Sequence, residues 1–324
     1  MPATGRSEIL DEARALLAAA REAEAEAAFE RALAAAAEGE RARVAHQAGS
    51  LAHKAGRPQL AVRWFRRAGE LAPRDAEMPH DRGLAHLEAG DVGLAAQAQG
   101  EALRLDPDHV GARAQRAAAL EALGDDDGAA HELAELLARI GPQPALSARL
   151  EGLRRAAARA AHLRLVGGPR AALERSPLLG TVFAREPAAR GLAAQGPTSL
   201  WLAGFGELSA EADPAGRIAR LQLVFADMEA SLARSDLAYG GSTEDEDGRR
   251  VPLDEFTSAA TVFFAQACGI EALRARRLLR FLLAPEAGLA PLPFAGLRVG
   301  WAVEGEGPAR RYGLYATLPP GAMN

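Results

Sequence analysis

Apolar and small residues along the first half of the chain return at a fixed interval. Leu60, Ala61, Ala68, Leu71 and Pro73 come back 34 residues later as Leu94, Ala95, Ala102, Leu105 and Pro107, with no gap between the copies. Within each copy the spacing of small and large apolar positions is that of one helix face, and the proline stops one helix before the next begins. A period of about 20–50 residues marks a stacked array of identical supersecondary units. Weaker copies flank the pair. Upstream, Ala25, Phe29 and Ala32 repeat the second-helix pattern, and the longer connector AEGERAR shifts the phase by two residues. Downstream, Ala117, Leu120, Ala129 and Leu133 fit helically around a turn at Gly124 and Asp125, with Pro142 one place late. After it, ALSARLEGLRRAAARAAHLRL reads as a solvating helix that closes the stack.

The pattern changes at LVGGPR, Leu165 to Arg170, where Gly-Gly-Pro breaks the helical run and glycine and proline become frequent. RSPLLGTVFAREPAARGLAAQGP reads as short helices and loops, and SLWLAGFGELS, Ser199 to Ser209, as a strand weakened by two glycines. DPAGRIARLQLVFADMEASLAR opens with Asp before Pro, a helix start. Ile218, Leu221, Phe225, Met228 and Leu232 form a helical stripe there, against a competing alternation of Ala219, Leu221, Leu223 and Phe225; the longer stripe favours helix. LDEFTSAATVFFAQACGIEALRARRLLRFLLAPE predicts two helices broken near Gly269 and ended before Pro285. GLRVGWAVEGEGPARRYGLYATLPP predicts a hairpin, with Val299, Trp301 and Val303 on one arm and Tyr312, Leu314 and Ala316 on the other. The fold class is therefore mainly α: a helical-repeat domain over residues 8–165, including the closing helix, then a smaller α+β domain with an antiparallel sheet or hairpin over residues 170–324.

The repeated unit resembles the tetratricopeptide repeat (TPR) over about residues 8–143, as a pair of antiparallel helices stacked into an α-solenoid. The small first-helix residue of that family is matched by Gly49 and Gly83, the small residue opening the second helix by Ala61 and Ala95, the large second-helix residue by Phe65, and the small one after it by Ala68 and Ala102. On this register Trp64 aligns with Ala98, where the repeat requires nothing large. Trp64 is thus expected on a face that the repeat does not need for stability, and a Trp64→Ala change to leave folding nearly intact. The α+β part resembles no family.

The resemblance implies that first-helix side chains line a groove for a partner polypeptide. On this sequence they are Arg14, Arg43, His46, Ser50, His53, Lys54, His80, Leu84, Leu87, Glu88 and Gln115, a mixture of cationic, polar and aliphatic groups suited to an extended peptide or a helix. One specialisation of the family clamps a C-terminal carboxylate. The matching positions here carry Leu10, Arg14, Gln47, Glu77 and either Arg82 or Asp81. Only Arg14 suits the purpose and Glu77 would repel a carboxylate, so a chaperone-tail receptor is not expected.

Charge narrows the choice of partner. The formal net charge is −5. The chain to Leu165 carries 22 basic and 25 acidic residues, and the remainder 16 and 18, so neither half has the basic field that nucleic acid requires. The longest uncharged apolar run, Phe256 to Ile270, is shorter than the roughly 20 residues of a membrane span. The N-terminus has no apolar signal region, and a soluble, cytoplasmic protein is expected. A single cysteine, Cys268, excludes an internal disulfide and a cysteine-rich zinc site, and reads as a buried structural thiol.

All seven histidines, His46, His53, His80, His86, His109, His131 and His162, precede residue 163. His46 and His80 occupy equivalent places in adjacent repeats, with His53 on nearly the same face. A metal or proton-sensitive cluster is one reading. Without a carboxylate or cysteine pattern beside them, the histidines read as surface residues, with His86 in place of the family's aromatic, and no metal or cofactor is expected.

In the second half, no Ser-His-Asp or Cys-His device can be built without histidine, and no phosphate-loop motif occurs. TEDEDGRRVPLD, Thr243 to Asp254, mimics a calcium loop. Thr243, Arg250, Pro252 and Asp254 break the pattern, leaving an acidic loop. Arg274, Arg276, Arg277 and Arg280 crowd one helix opposite Leu273, Leu278, Phe281 and Leu282. Guanidinium forks there suit an anion; a solvated face with local ion pairs is the ordinary alternative. The functional expectation is an interaction adaptor or scaffold that binds a protein or peptide in the repeat groove. The alternative is an enzyme whose α+β domain modifies a peptide or small molecule through carboxylates, arginines or Tyr239, Tyr312 and Tyr315. Nothing in the sequence fixes the oligomeric state.

Overall fold

The computed structural model describes residues 3–176, 198–202, 206–225, 242–244, 250–252, 255–305 and 311–320. By packing, the chain forms two compact units, residues 1–120 with 131–147, and residues 121–130 with 148–324.

The helix pairs are α1 (Ala3–Ala18) with α2 (Glu22–Ala34), α3 (Arg41–Lys54) with α4 (Pro58–Leu71), α5 (Glu77–Glu88) with α6 (Val92–Leu105), and α7 (Val110–Leu123) with α8 (Asp126–Ile140). This is the paired-helix arrangement that the tetratricopeptide resemblance implies. Within three pairs the turn is made by a glycine in the left-handed region, Gly56 (φ 66°), Gly90 (φ 77°) and Gly124 (φ 99°), again 34 residues apart. In the α3–α4 turn Arg57 N–H donates back to Ala52 O, and in the α5–α6 turn Asp91 N–H donates to His86 O, the six-to-one bond that closes a helix end. In the first pair Ala20 (φ 57°) holds this place, 36 residues before Gly56. The two-residue phase shift falls in the connector expected to carry it, which folds a short 3₁₀ turn at Glu38–Glu40.

Alanines at 25, 28, 32, 45, 48, 52, 61 and 68 are buried and let the helices approach, while Phe29, Leu60, Trp64 and Phe65 fill the space between them. Trp64 corrects the sequence expectation: it is 3% exposed, and its ring meets Phe29 edge to face at 5.4 Å. The neighbouring pair supplies the contact that made a large residue fit, and alignment with Ala98 carried no trace of it.

In the second unit α9 (Pro144–Leu163) contributes residues from 148 onward and ends ahead of the Gly-Gly-Pro break, followed by a four-residue helix, α10 (Ala171–Glu174). A six-stranded antiparallel sheet runs in the order β1-β2-β3-β8-β7-β6. Its strands are β1 (Thr198–Leu202), β2 (Gly206–Ala212), β3 (Ile218–Phe225), β6 (Leu292–Phe294), β7 (Leu297–Glu304) and β8 (Arg311–Thr317). The register Leu208↔Leu223↔Leu314 and Ala210↔Leu221↔Ala316↔Val299 puts these apolar residues on one face, and all are buried. The helices α11 (Glu255–Cys268) and α12 (Ala272–Leu283) follow the predicted boundaries, with Gly269 at φ 71° between them. The first of the two packs on β3 and β8. The predicted β7–β8 hairpin forms with Val303 opposite Tyr312.

Two expectations are overturned. The helix expected from Asp213 is instead β3. Asp213 accepts from the backbone N–H of Ala215 and Arg217 and from Arg217 Nε, Gly216 takes φ 76°, and Asp213 N–H donates to Arg217 O. The Asp-Pro-Ala-Gly stretch is therefore a hairpin turn, and partners on both sides, β2 and β8, settle the alternation against the helical stripe. The single strand expected over 199–209 is two strands, with Leu202 opposite Gly206. The residues expected as short helices and loops over 177–197 lie outside the described residues, as do Met228, Leu232 and Tyr239. Of the acidic stretch 243–254, only the flanks are described: β4 (Ser242–Glu244) pairs antiparallel with β5 (Arg250–Pro252).

Candidate functional site

Two successive helix pairs use one packing device with different chemistry. At Gly49 in α3 an added Cβ would lie 2.7 Å from Phe65 Cδ1, so the aromatic ring of α4 rests on bare backbone. At Gly83 in α5 the neighbour is Gln99 of α6, whose Cδ would stand 2.9 Å from such a Cβ. Gln99 is completely buried at the register position held by Phe65 one repeat earlier and by buried Leu133 one repeat later. Its amide is satisfied twice by the same residue: Nε2 donates to His80 O at 3.0 Å, and Oε1 pairs with His80 Nδ1 at 2.8 Å. Because the NH2 group is committed to a carbonyl, Oε1 must accept, and His80 Nδ1 carries its proton.

His80 stands among several histidines of the array that approach carboxylates. His46 Nε2 lies 2.6 Å from Asp81 Oδ2, and His53 Nδ1 lies 3.2 Å from Glu88 Oε2. His109 Nε2 lies 3.4 Å from Glu77 Oε1, and buried His86 places Nδ1 3.9 Å from Asp91 Oδ2. The absence of nearby carboxylates, read from local sequence, is thus corrected: two of these acids stand 35 residues downstream, one repeat plus one position. Its bond to Asp81 is the largest influence on His46 and raises its pKa, with partial burial opposing. His80 and His109 lie with ring centroids 4.6 Å apart. One ligand atom from each of Glu77, His80 and His109 falls within 4.8 Å of the others. His109 also caps α7, its Nδ1 accepting from Ala112 N–H at 3.1 Å.

Of the predicted groove residues, the structure joins His46 to the α5 acid Asp81 and His53 to Glu88, and leaves Ser50, Leu84, Leu87 and Gln115 half-buried and Lys54 exposed. Arg14 turns to Asp11 at 3.5 Å and Arg43 to Glu40 at 2.8 Å, both exposed pairs. Gln99, Glu77 and His109 were missed as site residues. Gln99 had a signal, a polar residue in register with Phe65.

On α12, Arg274 pairs with Asp126 at 2.8 Å and Arg277 donates to Ala122 O at 2.6 Å. Arg276 is half-buried and Arg280 exposed. Leu278, Phe281 and Leu282 form the buried side, but Leu273 is 46% exposed and does not join it. Asp126, Glu271, Arg155, Arg159 and Gln266 line a cavity of about 650 Å³ within the second unit. Burial is the largest influence on Asp126 and raises its pKa, against the Arg274 bond. Cys268 is buried and its thiol is pushed up to about 12 by desolvation, an inert group at neutral pH. No helix among the described residues is long and apolar enough to cross a membrane.

No family model and no curated relative matches the chain. Among solved structures it is similar to the Arabidopsis OM64 TPR domain, at 24% identity over 37% of this chain and 98% of that one, with a TM-score of 0.34. It is also similar to the second TPR domain of human RPAP3 in complex with the HSP70 peptide SGPTIEEVD, at 20% identity over 36% and 98%, with a TM-score of 0.34. Yeast Tom70 is similar at 21% identity over 38% of this chain and 26% of that one, with a TM-score of 0.37.

Proposed function

We propose that the helix-pair array is a protein-interaction module that receives a partner polypeptide along its first helices, α1, α3, α5 and α7. The observation that carries this reading is a division of labour within each pair. Small residues and buried aromatics close the core between helices, while His46, Ser50, His53 and His80 stay half-buried in a polar row with Leu84 and Leu87 beside them. A row of that composition offers hydrogen bonds and shallow apolar seats to an extended chain. The pairing of Arg14 with Asp11 and the exposed Glu77 argue, in the same reading, against selection of a free C-terminal carboxylate. The second unit then supplies a further contact or a specific assembly.

Photo-crosslinking tests this in the full chain. A crosslinker in place of Ser50 should give one defined protein adduct, and a crosslinker in place of exposed Arg67 on α4 should not. Equal adducts from both positions, or none from position 50, would overturn the reading.

A further inference from the structure

We infer that Glu77, His80 and His109 form a binding site for one divalent first-row transition-metal ion, with Zn²⁺ as the reference case, at the seam between α5 and α7. The inference stands apart from the partner reading and rests on four observations. The three side chains already bring one ligand atom each to within 4.8 Å of the others. Zinc bonds of about 2.0–2.2 Å set ligand atoms about 3.3 Å apart, so closure needs side-chain shifts of about an ångström. Glu77 is exposed and free to make them, its side chain being 63% accessible.

His80 is prepared as a ligand. Its Nδ1–H is held by the Oε1 of Gln99, which is fixed by the second bond from Nε2 to His80 O. The Nε2 lone pair is therefore available, and the arrangement matches the outer hydrogen bond that orients metal-bound imidazoles. The array spends a core position on this: Phe65 and Leu133 stand in the same register as Gln99, and an amide there adds nothing to packing that an apolar side chain would not.

His109 Nε2 is buried without a hydrogen-bond partner, 3.4 Å from the Glu77 carboxylate. Gly111 keeps the approach open, since a Cβ there would stand 3.3 Å from His109 Cε1 and 3.4 Å from His80 Cε1. Two imidazoles and one carboxylate suit zinc, with water completing the shell. Binding has one built-in cost. While Nδ1 of His109 accepts from Ala112 N–H, its ring proton sits on Nε2; the ion moves that proton to Nδ1 and breaks the cap, weakening affinity by about tenfold.

The test is calorimetric titration of Zn²⁺ into the chelator-stripped full chain at neutral pH. One ion per chain should bind. The double substitution His80→Ala/His109→Ala should weaken binding by about 100-fold and Glu77→Gln by about tenfold, while His131→Ala and His162→Ala leave it unchanged. Bound Co²⁺ should show a visible absorption that the double variant loses. The inference is overturned if the intact chain binds no Zn²⁺, or if the double variant binds as tightly as the intact chain. Should the double variant lose its helical circular dichroism, Glu77→Gln decides alone, because Glu77 is exposed: unchanged affinity there overturns the site.

Discussion

The pairs α3–α4 and α5–α6 share a backbone plan and differ at one register position. In the first, Phe65 covers Gly49 and touches the histidines of its own first helix, with His46 at 5.5 Å between ring centroids. In the second, Gln99 covers Gly83 and binds its histidine through both ends of its amide. The array evidently needs a side chain that fills the space over a glycine, not specifically an apolar one. An aromatic ring there gives stability by burial. A buried amide loses hydration and recovers it only through its two bonds, and its product is an imidazole held in one tautomer and orientation. One pair holds the stack together; the next holds a functional group.

That contrast sets the size of several effects. The largest belongs to the aromatic side. Phe65→Ala and Trp64→Ala should each lower stability by about 3–5 kcal/mol in urea unfolding. A loss below about 1 kcal/mol for Trp64→Ala would return that residue to the dispensable face the sequence suggested.

A smaller effect separates the two glycines. Gly49→Ala drives a Cβ into a rigid ring and should cost about 1–3 kcal/mol. Gly83→Ala meets the amide of Gln99 instead and should cost up to about 2 kcal/mol, the loss of bonds to a fully buried amide less the roughly 1 kcal/mol by which helix propensity favours alanine. What Gly83→Ala should also lose is the His80 tautomer lock, read from the ¹⁵N shifts of the ring. An unchanged His80 tautomer in Gly83→Ala would erase the comparison.

Protonation gives the third test. His46 has a folded pKa raised above its unfolded value of about 6.5. Its bond to Asp81 therefore contributes fully below the unfolded value and is lost as pH rises through the folded value. Stability measured against pH should show this loss in wild type and lack it in Asp81→Asn. A stabilisation that instead grows across that window has the wrong sign for this pair. The smallest effect concerns the first turn, where Ala20 holds a conformation that glycine holds in the other three. Ala20→Gly should raise stability by up to about 1 kcal/mol.

The array was legible in the sequence because its packing is periodic. Gly49 and the alanines at 61 and 68 recur one period on as Gly83, Ala95 and Ala102, an interval that side-chain size alone betrays. Trp64 was misread because register reports what every copy needs, whereas Phe29 belongs to one neighbour only. The β3 segment was misread because Asp213-Pro214-Ala215-Gly216 serves equally as a helix start and a hairpin turn, and Leu221 and Phe225 satisfy both periodicities. Pairing with β2 and β8, a long-range property, broke the tie. The carboxylates of His46 and His53 were within reach of a repeat-aware reading, one period plus one residue away. His109 with Glu77 was not, since the two stand 32 residues apart and meet only through the stacking of α7 on α5.

The claim that one register position does packing in one pair and orientation in the next is tested most directly by Gln99→Phe. Unfolding stability and Zn²⁺ affinity should be measured on the same full-length protein. The expected result is a chain at least as stable as wild type, with the ring seated on Gly83 as Phe65 is on Gly49, and Zn²⁺ affinity lowered by about tenfold or more. A variant destabilised by more than about 2 kcal/mol with unchanged zinc affinity would contradict the account and make Gln99 an ordinary structural amide.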